Sequence, residues 1–305
     1  MTDPSAASLQ LDAGPQRSRS LWGDAWRRLR TRPTVIASAV IIVVIVLIAI
    51  APGLFSSRDA GFSDLTLANQ GPSADAWFGY DNQGQDVYAR AIYGTRASLL
   101  VGVFATLLTV LIGSFIGILA GYYGQFVDTL LSRLGDVFAG LPFLLGAIVI
   151  LTTFNVPGSS PGGFTIISQV VLSIAVLTWP VAMRIMRGAT LVAKQLDYVK
   201  AARGLGASTP RVIFRHLLPN TLAPVLVYAT IALGAAIGAE ATLAYLGIGV
   251  RAPVISWGVM ISDARDYFRN TPHILLFPAA FVTVTVLAFV MLGDAVRDAL
   301  DPKGR

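Results

Sequence analysis

The ionisable residues of this 305-residue chain exclude most chemistry before any fold is considered. Cysteine is absent, so no thiolate nucleophile, Cys-ligated metal or disulfide framework can form. The two histidines, His216 and His273, stand far apart in the sequence and suggest no metal site. The only lysines are Lys194, Lys200 and Lys303, and none completes a G-x-x-x-x-G-K-S/T phosphate loop, so the chain has no nucleotide site of that kind. What remains is recognition by charge. Glu240 sits in an otherwise apolar run, about 27 Å along a helix counted from Leu222, toward the end of a membrane span rather than its middle. Such a carboxylate needs a partner, and two are open: Arg251, or an amino group of a transported solute. Asp81, Asp86 and Arg90 form a second group, with Asp86 and Arg90 spaced i, i+4. They read either as a surface ion pair, worth well under about 1 kcal/mol, or as a rim on which another protein docks.

The elements that carry these residues are membrane helices. With 54% hydrophobic and 13% charged residues and a mean hydropathy of +0.67, the chain is an integral membrane protein. A span needs about 20 apolar residues, and on that measure six helices are predicted. They run from Pro33 to Ala51, Ser98 to Tyr122, Val137 to Phe154, Thr165 to Met183, Leu222 to Leu246 and His273 to Leu292. Pro142, Pro180, Pro224 and Pro278 predict kinks that a bundle tolerates. Trp257, Tyr267 and Phe268 follow the fifth helix as interface anchors. Glycines spaced by four, Gly113, Gly117 and Gly121 and then Gly234 and Gly238, predict close helix packing, within this chain or against a second subunit.

Residues 1–32 read as a cytoplasmic, partly disordered tail, residues 33–293 as one transmembrane domain and residues 294–305 as a cytoplasmic tail. The Ala49-Ile50-Ala51 stretch also resembles a signal-peptide cleavage site, but Pro52 directly after it disfavours cleavage. With the N-terminus inside, seventeen of the 23 basic residues fall on the cytoplasmic side and six outside, which orients both termini inward. The net charge of +6 and pI near 9.8 therefore reflect membrane topology rather than nucleic-acid binding.

The third group is the polar island DYVKAARGLGASTPRVIFRHLLPN, Asp197 to Asn220, flanked by membrane-length apolar runs. It reads as two short helices broken at Gly204 to Gly206, the second starting at Thr209-Pro210. That second helix is amphipathic, with Val212, Ile213 and Leu217 on one side and Arg211 and Arg215 on another, so lipid could hold it at the interface. Lys200-Ala201-Ala202, then Gly206, then Leu218-Pro219 resembles the EAA loop of ABC-importer permeases, with Lys200 where that family has Glu and His216 where it has Ile.

The resemblance implies a coupling helix that sits in a cleft of a cytoplasmic ATPase subunit. Ala201, Ala202 and Gly206 would form the docking surface and Leu218-Pro219 a hinge back into the membrane. Asp197, three residues before Lys200 on the same helical face, would replace the missing Glu.

Further stretches narrow the likeness. Trp77 to Leu99 (WFGYDNQGQDVYARAIYGTRASL), Glu240 to Arg265 and the ending LGDAVRDALDPKGR resemble the C-type permease subunits of dipeptide, oligopeptide and nickel importers, with Tyr80 and Gln85 departing from the usual Thr and Arg. This likeness implies an all-α, type I ABC-importer bundle in the bacterial cytoplasmic membrane, one half of a translocation pathway for short peptides. The other half would be a homologous permease subunit, and two ATPase domains would bind ATP and Mg. An extracytoplasmic solute-binding protein would dock on the Asp81, Asp86 and Arg90 rim, and Glu240, Arg251 and Trp257 would line the pathway or its outer gate. The chain itself would bind no cofactor and catalyse nothing. Nickel complexes, glutathione and other peptide-like solutes stay open as cargo, as do an ion-coupled secondary carrier and a channel-like or structural role.

Overall fold

The computed structural model describes residues 29–154 and 161–300. The tail expected over 1–32 lies outside the described residues as far as residue 28, as do Lys303 and Arg305. Nine helices form the described chain: α1 (Pro33–Ile50), α2 (Val87–Tyr123), α3 (Gln125–Gly140), α4 (Phe143–Phe154), α5 (Gly163–Ala193), α6 (Asp197–Gly204), α7 (Thr209–Tyr245), α8 (Trp257–Ala264) and α9 (His273–Leu300). Five of them, α1, α2, α5, α7 and α9, are long and apolar enough to cross a membrane, and α3 and α4 pass the same test only together, as a broken span or a re-entrant loop. Arg32 donates to Asp298 at 3.0 Å and sets the start of α1 beside the last turns of α9. We call this end of the bundle proximal and the opposite end distal.

The central pair is α2 and α5. Gly113, Gly117 and Gly121 turn one face of α2 onto α5 so closely that a Cβ on Gly117 would lie 2.4 Å from the Met183 carbonyl oxygen, and one on Gly113 2.5 Å from Ala182 Cβ. With no water in the membrane core, this contact rests on van der Waals packing between backbones. Gly234 makes a looser approach to α9, where a Cβ would lie 3.1 Å from the Val286 carbonyl oxygen, whereas Gly238 faces open space.

Several boundaries differ from the sequence reading, each for a local reason. The second helix begins at Val87 rather than Ser98, because Asp86 accepts a 3.0 Å hydrogen bond from the Ala89 amide and caps it. Its 37 residues span about 55 Å, so α2 stands well clear of a hydrocarbon core of about 30 Å. The single helix expected over Val137 to Phe154 is instead α3 and α4, bent by 90°. Leu141 is extended (ψ 124°) ahead of Pro142, as a residue before proline prefers. The fourth expected helix extends ten residues further, to Ala193, and the last runs through the supposed C-terminal tail to Leu300.

Gly117→Val in α2 is expected to force α2 and α5 apart and lower unfolding free energy by about 1–3 kcal/mol, read as reduced thermal stability of the detergent-solubilised protein. Unchanged stability would show that the seam does not carry the packing.

Candidate functional site

Three groups of functional residues are positioned by this frame. At the proximal end, α6 and the turn after it cover the ends of α2 and α5. Val199 buries its side chain among Met186, Ala193, Val212, Ile213 and Leu217. The Arg203 guanidinium lies 4.6 Å from the centre of the Tyr122 ring, and the Tyr122 hydroxyl donates to Thr209 Oγ1 at 3.5 Å. Lys194 Nζ donates to the Gly121 carbonyl at 2.6 Å, and Arg187 grips Asp128 of α3 through two nitrogens, one of them at 2.6 Å.

The turn that closes α6 is a Schellman motif. The Gly206 amide donates to the Arg203 carbonyl at 2.9 Å and the Ala207 amide to the Ala202 carbonyl at 3.0 Å. Gly206 has φ +80° and nothing within 4 Å of a Cβ, so glycine is required there by backbone conformation and not by space.

Asp197, Lys200, Ala201 and Gly206 are exposed, and Ala202 is half-buried. Among the described residues, neither Asp197 nor Lys200 has a side-chain hydrogen bond or ion pair, so both charges are available to another molecule. Leu205, 89% exposed in the middle of the turn, belongs to the same surface. Its signal in the sequence was an apolar residue between two glycines of an otherwise polar island.

The rest of the island departs from expectation. The second short helix is not separate but is the first part of α7, continuous through Leu218 and Pro219. Leu218-Pro219 therefore lies within a helix and not in a connection between two. Instead, Val212–Leu217 forms a π-helical turn just ahead of Pro219, whose missing N–H and bulky ring disturb α-helical bonding back to Arg215. The apolar side of this segment, Val212, Ile213 and Leu217, packs against its own chain and so is not held by lipid.

At the distal end, Glu240 is fully buried. Ser256 Oγ donates to its Oε1 at 2.8 Å and Ser98 Oγ to its Oε2 at 3.1 Å. Ser98 also accepts the Trp257 amide at 3.1 Å, and Ser256 accepts the Val259 amide at 3.2 Å, capping α8. Arg251, one of the two expected partners, takes no part, and each carboxylate oxygen is held by one serine hydroxyl instead. Trp257 is not an interface anchor: it is completely buried, with its indole N–H on the Ala91 carbonyl at 2.9 Å. Four residues thus tie α2, α7 and α8 together. Ser98 and Ser256 carried no signal in the sequence, since isolated serines near helix ends are common.

Also distal, Asp81, Asp86 and Arg90 are buried, so their side chains are not a solvent-facing rim. The i, i+4 pair does not form, because Asp86 is turned back to cap α2 and to accept from Arg58 at 3.0 Å. Arg90 instead donates to Asp81 and Gln85 and reaches Asp263 of α8 at 3.5 Å. Asp81 also accepts the backbone amides of Gln83 and Gln85 at 2.8 and 2.9 Å. The Tyr80 hydroxyl, followed by Asp86, holds the Arg58 guanidinium above its ordinary pKa. Burial pushes the Asp263 carboxyl up, while Arg90 pulls it back. No group of three or more His, Asp or Glu side chains among the described residues is placed to hold a metal ion.

The comparisons with known proteins place this all-helical membrane bundle, with its exposed small-residue turn at one end and its buried polar clasp at the other. The model of the binding-protein-dependent transport system inner membrane component matches residues 113–305, and that of the N-terminal transmembrane domain of oligopeptide transport permease C matches residues 20–72. The chain belongs to this family of inner-membrane permease components and is not itself catalytic.

It is 38% identical over 290 residues to the glutathione transport system permease protein GsiD of Shigella flexneri serotype 5b (strain 8401), across 95% of this chain and 93% of that one. It is 38% identical over 306 residues to the oligopeptide transport system permease protein OppC of Bacillus subtilis (strain 168), across 100% and 97%. The MetNI methionine ABC transporter, solved in inward-facing conformations, contains a chain that superposes with a TM-score of 0.55 at 20% identity, covering 69% of this chain and 96% of that one. A chain of an amino acid ABC transporter superposes with a TM-score of 0.50 at 19% identity, covering 67% and 91%. These two likenesses establish the fold.

Glu240→Ala is expected to cost about 2–4 kcal/mol of stability by opening a cavity and orphaning two buried hydroxyls. Glu240→Gln should cost about 1 kcal/mol or less, since either hydroxyl can turn to accept from the amide. Thermal unfolding in detergent distinguishes the two, and equal losses would show that the charge itself is required.

Proposed function

We propose that this permease forms half of the pathway of an ATP-driven importer for short peptides, glutathione among them. The observation that carries this reading is the proximal turn, where Asp197, Lys200, Ala201, Leu205 and Gly206 form an exposed surface that no other part of the described chain covers. The whole-length likeness to an oligopeptide and a glutathione permease supports the cargo class, because glutathione is itself a small peptide.

In this reading the proximal end faces the cytoplasm and both termini lie there. The excess of basic residues in the proximal connections supports that orientation. A separate pair of ATPase domains binds ATP and Mg, and a cleft in one of them receives the turn. A second, homologous permease completes the pathway, and an extracytoplasmic solute-binding protein delivers cargo to the distal end. Because Asp81, Asp86 and Arg90 are buried, their task is to hold the distal segment in shape for that protein rather than to touch it.

Coupling then follows from continuity. α7 joins the proximal element to the Glu240 clasp without a break, so movement of the docked turn tilts the helix that carries the distal closure. The cavity of about 280 Å³ between α2, α5 and α7, where Thr109 and Thr178 share a 2.8 Å hydrogen bond, lies on the path that such tilting would widen.

The test is ATP-dependent uptake of labelled trialanine by the reconstituted complex. Ala201→Trp and Leu205→Asp are expected to abolish uptake and release the ATPase subunits on co-purification, with the permease still folded. Asp197→Ala is expected to weaken ATPase association about tenfold, the size of one charge-assisted contact. Uptake that persists without nucleotide or ATPase would sink the importer reading, and an unaffected Asp197→Ala alone would remove only the compensating role given to that residue.

A further inference from the structure

Beside the Glu240 clasp at the distal end, a pocket of about 440 Å³ opens between the segment before α2 and the stretch joining α7 to α8. Its volume lies in the range of small-ligand sites, about 300–1,000 Å³. Arg251 and Asp263 line it together with Arg90, Gln83, Val254 and Ile255. Two charges of opposite sign in one pocket would ordinarily close on each other, yet no salt bridge joins Arg251 to Asp263. Arg251 has no side-chain hydrogen bond or ion pair among the described residues. Asp263 keeps 39% of its side chain exposed and has one long contact, 3.5 Å from Arg90. Behind it Arg90 is nine-tenths buried and its Nε has no partner. The pocket therefore offers an unspent cation, a nearly unspent anion and apolar walls from Val254, Ile255 and Val259.

We propose that this pocket binds the free ends of a short peptide, Arg251 receiving the terminal carboxylate and Asp263 the terminal ammonium group. A guanidinium matches a carboxylate through two parallel N–H donors, and the apolar walls accept a small side chain between the charged ends. Arg90 is a positioning residue: its bonds to Asp81 and Gln85 fix the floor on which Asp263 rests. The inference builds on the peptide-importer reading above and adds a contact made by the permease itself before the cargo enters the pathway.

The complex in lipid nanodiscs, with companion subunits but no solute-binding protein, tests it by calorimetric titration with trialanine, its C-terminal amide and its N-acetyl form. Free trialanine is expected to bind, and each blocked form about tenfold or more weakly. Arg251→Gln should erase the preference for the free carboxylate and Asp263→Asn the preference for the free amine. The blocked ligands probe the same charges on the unaltered protein, so a poorly folding variant does not weaken the test.

Equal binding of all three ligands, or no binding of any, overturns the proposal. So does an Arg251→Gln protein that binds trialanine normally but loses stimulation by the solute-binding protein, because the pocket is then a protein contact. ATP-driven uptake of trialanine by the unaltered complex is measured alongside. Its absence would refute the peptide reading itself, whereas intact uptake with no discrimination among the three ligands removes only this pocket.

Discussion

Within a membrane core, where every span is surrounded by material as apolar as itself, helices associate through close contact and not by escaping water. The seam between α2 and α5 meets that constraint with three glycines that let the two backbones approach each other. What the chain does at either end hangs from this seam. Its proximal limit, Gly121, accepts Lys194 and adjoins Tyr122, which anchors Arg203 and Thr209 of the proximal element. Distally, α2 delivers Ser98 to the buried carboxylate and Arg96 to the Ala49 carbonyl at 3.0 Å, fastening the end of α1.

The two ends solve different problems. Proximally the chain leaves the charges of Asp197 and Lys200 and a bare leucine on the surface. Distally it spends Asp81, Asp86, Arg90 and Glu240 internally, on capping, on buried ion pairs and on hydroxyl bonds. A segment without regular strands, such as residues 51–86, has backbone amides that must find acceptors, and Asp81 and Asp64 supply them. Burial of acidic residues there is the result of holding an irregular loop in one shape.

The sequence made the helical membrane class, five long apolar spans and the small-residue turn legible, because apolar run length and the Ala-Ala-x-x-x-Gly spacing are local properties. It also made the break at Gly204 to Gly206 legible, whereas the positive φ that requires glycine at 206 came only from the structure. The partner of Glu240 was not, since Ser98 lies 142 positions away and nothing in an isolated serine announces that it faces a carboxylate. Arg90 was assigned to Asp86 by spacing alone. The capping role of Asp86 overrode that spacing, and Asp81 and Asp263, one of them 173 positions distant, took its place. The break at Pro142 was read as a kink where the extended preference of the preceding residue made a right-angle turn.

The π-helical turn at Val212–Leu217 has a geometric consequence for α7 as a whole. A wide turn accommodates about one residue more than an α-turn, and one residue corresponds to about 100° of rotation about the helix axis. The rotational phase between the small-residue surface and Glu240 is therefore fixed by this one turn. Tightening it would swing the proximal surface around the rod while the distal clasp stayed where it is. The register between the two ends of α7 is thus set by one local turn.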